Sequence, residues 1–183
     1  MKEEILMPNS PTEKVVLAII VENNAGVLGK ISMLFGRRGF NIDSLTVSAT
    51  NDPNVSRITI TTQGAKNIID QVILQTEKLI EVLAVHREDL SESIQRELLL
   101  VKVATNEKER SQLLEICQIY KGAVVDLTKD SLIIELTGKP SKIDAFLEVL
   151  TSYSIIEFCR TGVTAIDRGA NAIEYPKHEN HRA

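Results

Sequence analysis

The chain has 183 residues, 43% of them apolar and 25% charged, which is enough for one large or two small domains with cores of their own. A net charge of −4 with acids and bases interspersed offers no basic field for a polyanion or an anionic membrane, and four Phe, three Tyr and no Trp leave little with which to stack bases. The start, Met1-Lys2-Glu3-Glu4-Ile5-Leu6, lacks the apolar core of a signal peptide, and no apolar run approaches the roughly 20 residues of a membrane span, so a cytoplasmic protein is expected.

Residues 1–13 form a polar leader with Pro8 and Pro11. Val15 to Val21 is then an unbroken apolar run, which reads as a strand covered on both faces. Val27, Leu28, Ile31, Leu34 and Phe35 fall at helical spacing, and Arg37, Arg38 and Gly39 end that helix with a basic last turn and a terminal glycine. Ile42 to Ala49 and Ser56 to Thr62 are rich in β-branched residues and flank the turn cluster Asn51-Asp52-Pro53-Asn54. A second helix over Ala65 to Ile80 and a short strand over Glu81 to His86 follow. Residues 89–95 are polar and charged and read as a linker.

Beyond the linker the same order returns. Leu98 to Val103 is a strand, and Leu113, Leu114, Cys117 and Tyr120 mark a helix. Ala123 to Leu127 and Leu132 to Thr137 form a hairpin, Pro140 to Leu150 a helix, and Ile155 to Arg160 a last strand. Shifting by 83 residues lays Arg38-Gly39-Phe40-Asn41-Ile42-Asp43 on Lys121-Gly122-Ala123-Val124-Val125-Asp126, while Gly26 falls on Glu109 and Asn41 on Val124. The scaffold is repeated and the glycine turn is not. Each half suits a ferredoxin-like βαββαβ sandwich, giving an α+β protein with domains over 14–88 and 96–169 and a flexible tail over 170–183. So small a sandwich needs a cover for its second face, and sheet-to-sheet packing or edge pairing into a dimer would hide a strand as apolar as Val15 to Val21. Cys117 and Cys159 lie in apolar segments with no C-x-x-C spacing and read as buried, reduced thiols.

The chemistry concentrates where the first strand turns into the first helix, at Glu22-Asn23-Asn24-Ala25-Gly26-Val27-Leu28. The first N–H groups of a helix have no intrahelical partners, and the helix dipole makes them attractive to a carboxylate. Gly26 would permit close approach, and Asn23 and Asn41 would supply neutral polar groups. No Ser, Cys or His stands in the corner to act as nucleophile or base, and no Lys or Arg precedes the helix to hold a phosphate. The corner therefore suits recognition of a small zwitterion, with no catalytic residue. Bland roles compete: Asn23 and Asn24 as helix caps, Asn41 as the start of a strand, Leu28, Ile31, Leu34 and Phe35 as core, and Arg37-Arg38 as a solvated helix end. His178 and His181 lack further metal ligands in fixed geometry, so no metal site is expected.

Taken together, Glu22 to Leu28, Arg38-Gly39-Phe40-Asn41-Ile42-Asp43-Ser44-Leu45-Thr46-Val47, Asp52, Ser56-Arg57-Ile58-Thr59, Arg96 to Val103, Thr137-Gly138-Lys139, Asp144-Ala145-Phe146-Leu147 and Arg160-Thr161-Gly162-Val163 resemble the small, regulatory subunits of acetolactate synthase (acetohydroxyacid synthase) over about residues 14 to 169. The resemblance implies an N-terminal ACT domain and no active site. It also implies activation of a separate catalytic (large) subunit that carries thiamine diphosphate, Mg and FAD, with feedback inhibition by valine in branched-chain amino acid biosynthesis. It places valine at the junction of two ACT domains in a homodimer, with Asn23, Gly26, Val27, Leu28, Ile31 and Asn41 as ligand-binding residues. Cys159 departs from the small residue usual in the family.

Three rival functions are weaker. An acylphosphatase-like hydrolase on this scaffold would want an arginine in the first turn to hold the phosphate and an asparagine to place the water, and this turn contains no arginine. Binding of single-stranded RNA across the sheet would want exposed aromatics, where Thr46, Ser48, Thr59 and Thr61 stand. An ACT-type sensor serving a different enzyme or a transcription regulator keeps the ligand and changes the client, but no helix-turn-helix pattern accompanies the repeats.

Overall fold

The computed structural model describes residues 12–37 and 39–176. Arg38, most of the leader with Pro8 and Pro11, and the end of the tail with His178 and His181 lie outside the described residues. The chain divides into two compact units, one built on residues up to Glu88 and one on Asp89–Ala170, with Ser44–Thr46 belonging to the second.

In the first unit the order is β1 (Thr12–Glu22), α1 (Val27–Arg37), β2 (Ile42–Ala49), β3 (Val55–Ala65), α2 (Lys66–Thr76) and β4 (Val82–Arg87). The sheet order is β2-β3-β1-β4, and β1 runs antiparallel to both of its neighbours. That order places the most apolar strand in the centre, where neither edge is exposed and both faces can be covered. Val15 to Val21 are accordingly all buried. Their burial in the chain as it stands needs no second copy to cover β1. Ile31 and Phe35 of α1 and Ile69 and Val72 of α2 are buried too, the inward stripes of two amphipathic helices. Helix α2 ends at Thr76, four residues short of Ile80, and Thr76 bonds its own helix through Oγ1 to Val72 O.

The second unit repeats the plan with β5 (Ser93–Ala104), α3 (Glu107–Ile119), β6 (Ala123–Leu127), β7 (Ser131–Gly138), α4 (Pro140–Leu150) and β8 (Ile155–Arg160), in the sheet order β6-β7-β5-β8. Its core gathers Leu99, Val101 and Val103 of β5 with Leu113, Cys117, Leu132, Ile134, Ile143, Phe146 and Leu150. Two features lie outside the sequence reading. Strand β5 begins at Ser93, inside the stretch read as linker, and its first residues pair with an additional strand, β9 (Thr164–Asp167). Arg96 and Gln95 interrupt the apolar run there, so hydrophobicity alone gave no signal. Cys159 is exposed on β8, a strand with one sheet neighbour, while Cys117 is buried, and burial pushes the Cys117 thiol above its ordinary range.

Equivalent hydrogen bonds set the register of the repeat. Glu22 N donates to Glu81 O and Ala104 N to Ser154 O; Asn23 N donates to Asn54 O and Thr105 N to Asp130 O; Phe40 N reaches back to Phe35 O and Gly122 N to Cys117 O. The donors differ by 82 residues in each pair, and in the last pair the acceptors do too, so the 83-residue shift is off by one where the first helix of each unit ends. Gly39 corresponds to Lys121, and both hold positive φ, 75° and 54°. The conserved feature is a left-handed helix end, which Lys121 adopts without being glycine. Gly122 is glycine for another reason: a Cβ there would stand 3.1 Å from Glu135 O and 3.2 Å from Cys117 Sγ.

Candidate functional site

Between β1 and α1 the chain makes a turn of four residues, Asn23 to Gly26. Gly26 has φ +86°, a region costly for residues with a Cβ, and its carbonyl accepts the first helical bond, from Lys30 N at 3.1 Å. It therefore occupies the N-cap position with no side chain to turn back on the helix. Nothing lies within 4 Å of where its Cβ would be. Val27 N is held only by a 3.5 Å contact to Asn24 O, and the N–H groups of Leu28 and Gly29, next in the helix, have no intrahelical partner by construction.

The asparagines do not cap the helix. Asn23 Nδ2 donates to Pro53 O at 2.9 Å, and Asn24 Nδ2 to Glu22 Oε2 at 2.8 Å. Lys30 forms a close ion pair with Glu81, tying the first turn of α1 to the residue that precedes β4. That bond, followed by Glu81's own backbone, holds the Glu81 carboxyl below the ordinary carboxylate range.

Among the apolar candidates, Val27 is 5% exposed and Ile31 is fully buried, whereas Leu28 is 40% exposed. Ile31 is thus a core residue beneath the corner and is corrected as a ligand contact; Val27 presents only its backbone, and Leu28 is the apolar side chain that faces out.

Asn41 is not in this corner. It follows the far end of α1, about 16 Å of helix away for 11 residues at 1.5 Å each. Its carbonyl accepts from Thr62 Oγ1 at 2.7 Å, and Thr62 pairs with Val15, seven residues (15 to 22) from the corner end of β1, about 23 Å of strand. Its exposed side chain donates through Nδ2 to Asp43 Oδ1 at 3.0 Å. Within one chain Asn41 and Gly26 are therefore far apart.

The matching place in the second unit is closed. Asn106 is the N-cap of α3, its Oδ1 accepts from Lys108 N and Glu109 N at 3.0 Å each, and Glu109 Oε2 accepts from Asn106 N in return. In role, Gly26 corresponds to Asn106, not to Glu109. Helix α3 also starts two residues earlier in register than α1, which is why it has 13 residues against 11.

Fold and corner together first define a class: a tandem of ferredoxin-like units headed by an ACT domain, since residues 17–84 match the AHAS small subunit-like ACT domain. Residues 96–169 match the family described as the small subunit of acetolactate synthase. The chain is 40% identical over 159 residues to the probable acetolactate synthase small subunit of Methanothermobacter thermautotrophicus, covering 86% of this chain and 95% of that one. To the corresponding protein of Archaeoglobus fulgidus it is 42% identical over 156 residues, covering 85% and 98%. The crystal structure of the acetolactate synthase small subunit from Thermotoga maritima superposes with a TM-score of 0.80 at 34% identity, covering 86% of this chain and 98% of that one. The chain belongs to the acetolactate synthase small-subunit family. Among the described residues no helix is long and apolar enough to cross a membrane.

Proposed function

We propose that this chain is a non-catalytic, cytoplasmic regulatory subunit that raises the turnover of an acetolactate synthase catalytic subunit and makes it sensitive to valine. The family supplies the client. The thiamine diphosphate, Mg and FAD belong to that catalytic partner. The observation that carries the sensor reading is the helix end left open at Gly26, where backbone donors and clear space coincide. The valine carboxylate takes the N–H groups of Val27 and Leu28, as anions do at helix N-termini, and its side chain lies against Leu28. Asn23 and Asn41 bond the polar end.

Because Asn41 stands at the far end of α1, a site that uses it together with Gly26 is built from two copies of the chain, each giving its corner to the other's Asn41. The homodimer follows from that separation and does not depend on hiding β1.

Reconstitution with a matching catalytic subunit tests the reading. The purified chain alone makes no acetolactate from pyruvate; its addition raises the rate, and valine lowers the rate again. A mixture of Gly26→Asp and Asn41→Ala chains, each insensitive alone, should regain part of the valine response, since one of the two sites in a mixed dimer is intact. Acetolactate formation by the rigorously purified chain, or no recovery in the mixture, would overturn the corresponding part.

A further inference from the structure

We infer that the β2–β3 turn sets the orientation in which the ligand binds, with Asp52 as the positioning residue; this rests on the effector site proposed above. The carbonyl of Pro53 can only accept a hydrogen bond, so the side-chain NH2 of Asn23 must face it, and the 2.9 Å bond fixes which way the amide points. The opposite atom, Oδ1, is thereby held outward as an acceptor. An acceptor suits an ammonium and repels a carboxylate. With N–H donors at the helix start and an oxygen at Asn23, the corner is a polar pair matched to an α-amino acid read in one direction: carboxylate to α1, ammonium to Asn23.

The turn that imposes this is itself braced. Asp52 Oδ1 accepts from Asn54 N at 2.9 Å, Asp52 O accepts from Val55 N at 3.0 Å and from Thr50 Oγ1 at 3.1 Å, and Thr50 N donates to Val55 O at 2.9 Å. Pro53 adds a fixed φ. Asn54 O and Pro53 O, adjacent in that turn, receive the backbone and the side chain of Asn23 respectively. The second unit keeps only the first of these bonds: Thr105 N donates to Asp130 O, but Thr105 Oγ1 donates to the neighbouring Asn106 O. The side-chain clip is peculiar to the unit with the open helix end.

The experiment is calorimetry on the full-length chain with L-valine and with isovalerate, which has the same carboxylate and branched chain but no ammonium. The unaltered chain should bind valine well above isovalerate. Asp52→Ala, which frees the turn and lets the Asn23 amide rotate, should weaken valine about 3-fold to 10-fold and leave isovalerate unchanged. Asp52→Asn should restore valine, because its side-chain oxygen can accept the same N–H. Equal weakening of both ligands, unchanged valine affinity in Asp52→Ala, or no rescue by Asp52→Asn would overturn the assignment. Failure of the unaltered chain to bind valine at all would instead bring down the effector site, and this assignment with it.

Discussion

The starts of α1 and α3 occupy corresponding places in two copies of one scaffold, and they treat the same physical problem in opposite ways. Every helix begins with N–H groups that lack partners. In α3 the chain answers with a capping box, Asn106 and Glu109 satisfying each other's backbone. In α1 the two residues that would have opened the helix are given over to the turn, Asn24 bonds Glu22 instead of the helix, and the N-cap is a glycine. A duplicated fold can thus carry one helix end that is closed and one that is open, and a few side chains decide which.

The sharpest way to break the comparison is Gly26→Asp. It places a carboxylate where the ligand's carboxylate is proposed to sit, and like charges brought together cost several kcal/mol, so valine affinity should fall by more than about 100-fold. Positive φ adds strain for a residue with a Cβ, so the variant should also melt lower. Calorimetry against valine and a thermal scan separate the two effects. Retained binding would remove the corner from the site.

Asn41→Ala probes the other residue proposed to hold the ligand. Hydrogen bonds to charged groups contribute about 1.5–3 kcal/mol, so affinity should fall roughly 10-fold to 150-fold. Activation of the catalytic subunit should persist, because the corresponding residue of the second unit by the 82-residue register is Ala123, which begins β6 without any amide. Titration of reconstituted enzyme with valine reads the first effect and titration with the chain reads the second. Loss of activation would mean that Asn41 serves the fold or the client contact.

The elements of both units were legible because their apolar periods are clean: β2, β6, α4 and β8 have the bounds that alternation, β-branching and the Pro140 start suggest. Where structure departs from sequence, the common cause is that neighbours along the chain need not be neighbours in space. Asn41 closely follows a helix whose other end holds Gly26, and the length of that helix separates them. Ile31 belongs to the same apolar stripe as Leu28, yet the stripe's direction, which needs the sheet beneath it, leaves Leu28 half out and Ile31 wholly in. Matching glycine to glycine shifts the repeat by one residue, whereas Lys121 shows that the backbone requirement is a positive φ. Strand β9 gives no apolar signal because it has only four residues and three of its four partners, Ser93, Gln95 and Arg96, are polar.

Closing is tested in the second unit. Asn106→Ala removes the cap of α3 and should cost about 1 kcal/mol of stability, within a range of about 0.5–2, with no change in valine affinity. Denaturant unfolding measures the first and calorimetry the second. A weakened valine response would show that the two units do not divide stability and ligand binding between them.

The smallest expected effect concerns the locks one turn into each helix, four residues after each N-cap. Lys30 ties α1 to the Glu81 carboxylate, which titrates; Arg110 ties α3 to the backbone carbonyls of Thr128, at 3.2 Å, and Lys129, which do not. Glu81's carboxyl is held below its ordinary value of 4.5, chiefly by the bond from Lys30. A depressed carboxyl pKa favours the folded state above the ordinary value, and that contribution is lost as pH falls through the folded-state pKa. Lys30→Met should therefore be slightly less stable than the unaltered chain at neutral pH, and the gap should begin to shrink as pH falls below about 4.5 and close once pH is below the depressed folded-state pKa. Added salt should shrink it as well, since the Lys30 side chain is 55% exposed and the pair is open to screening. Arg110→Met should show no such convergence, because its acceptors keep their charge state at every pH. Unfolding curves at pH 7 and at pH 3.5 for the two variants make the measurement, and a Lys30→Met gap that stays constant between them would show that the lock on α1 holds by packing of the lysine stem and not by the charge on Glu81.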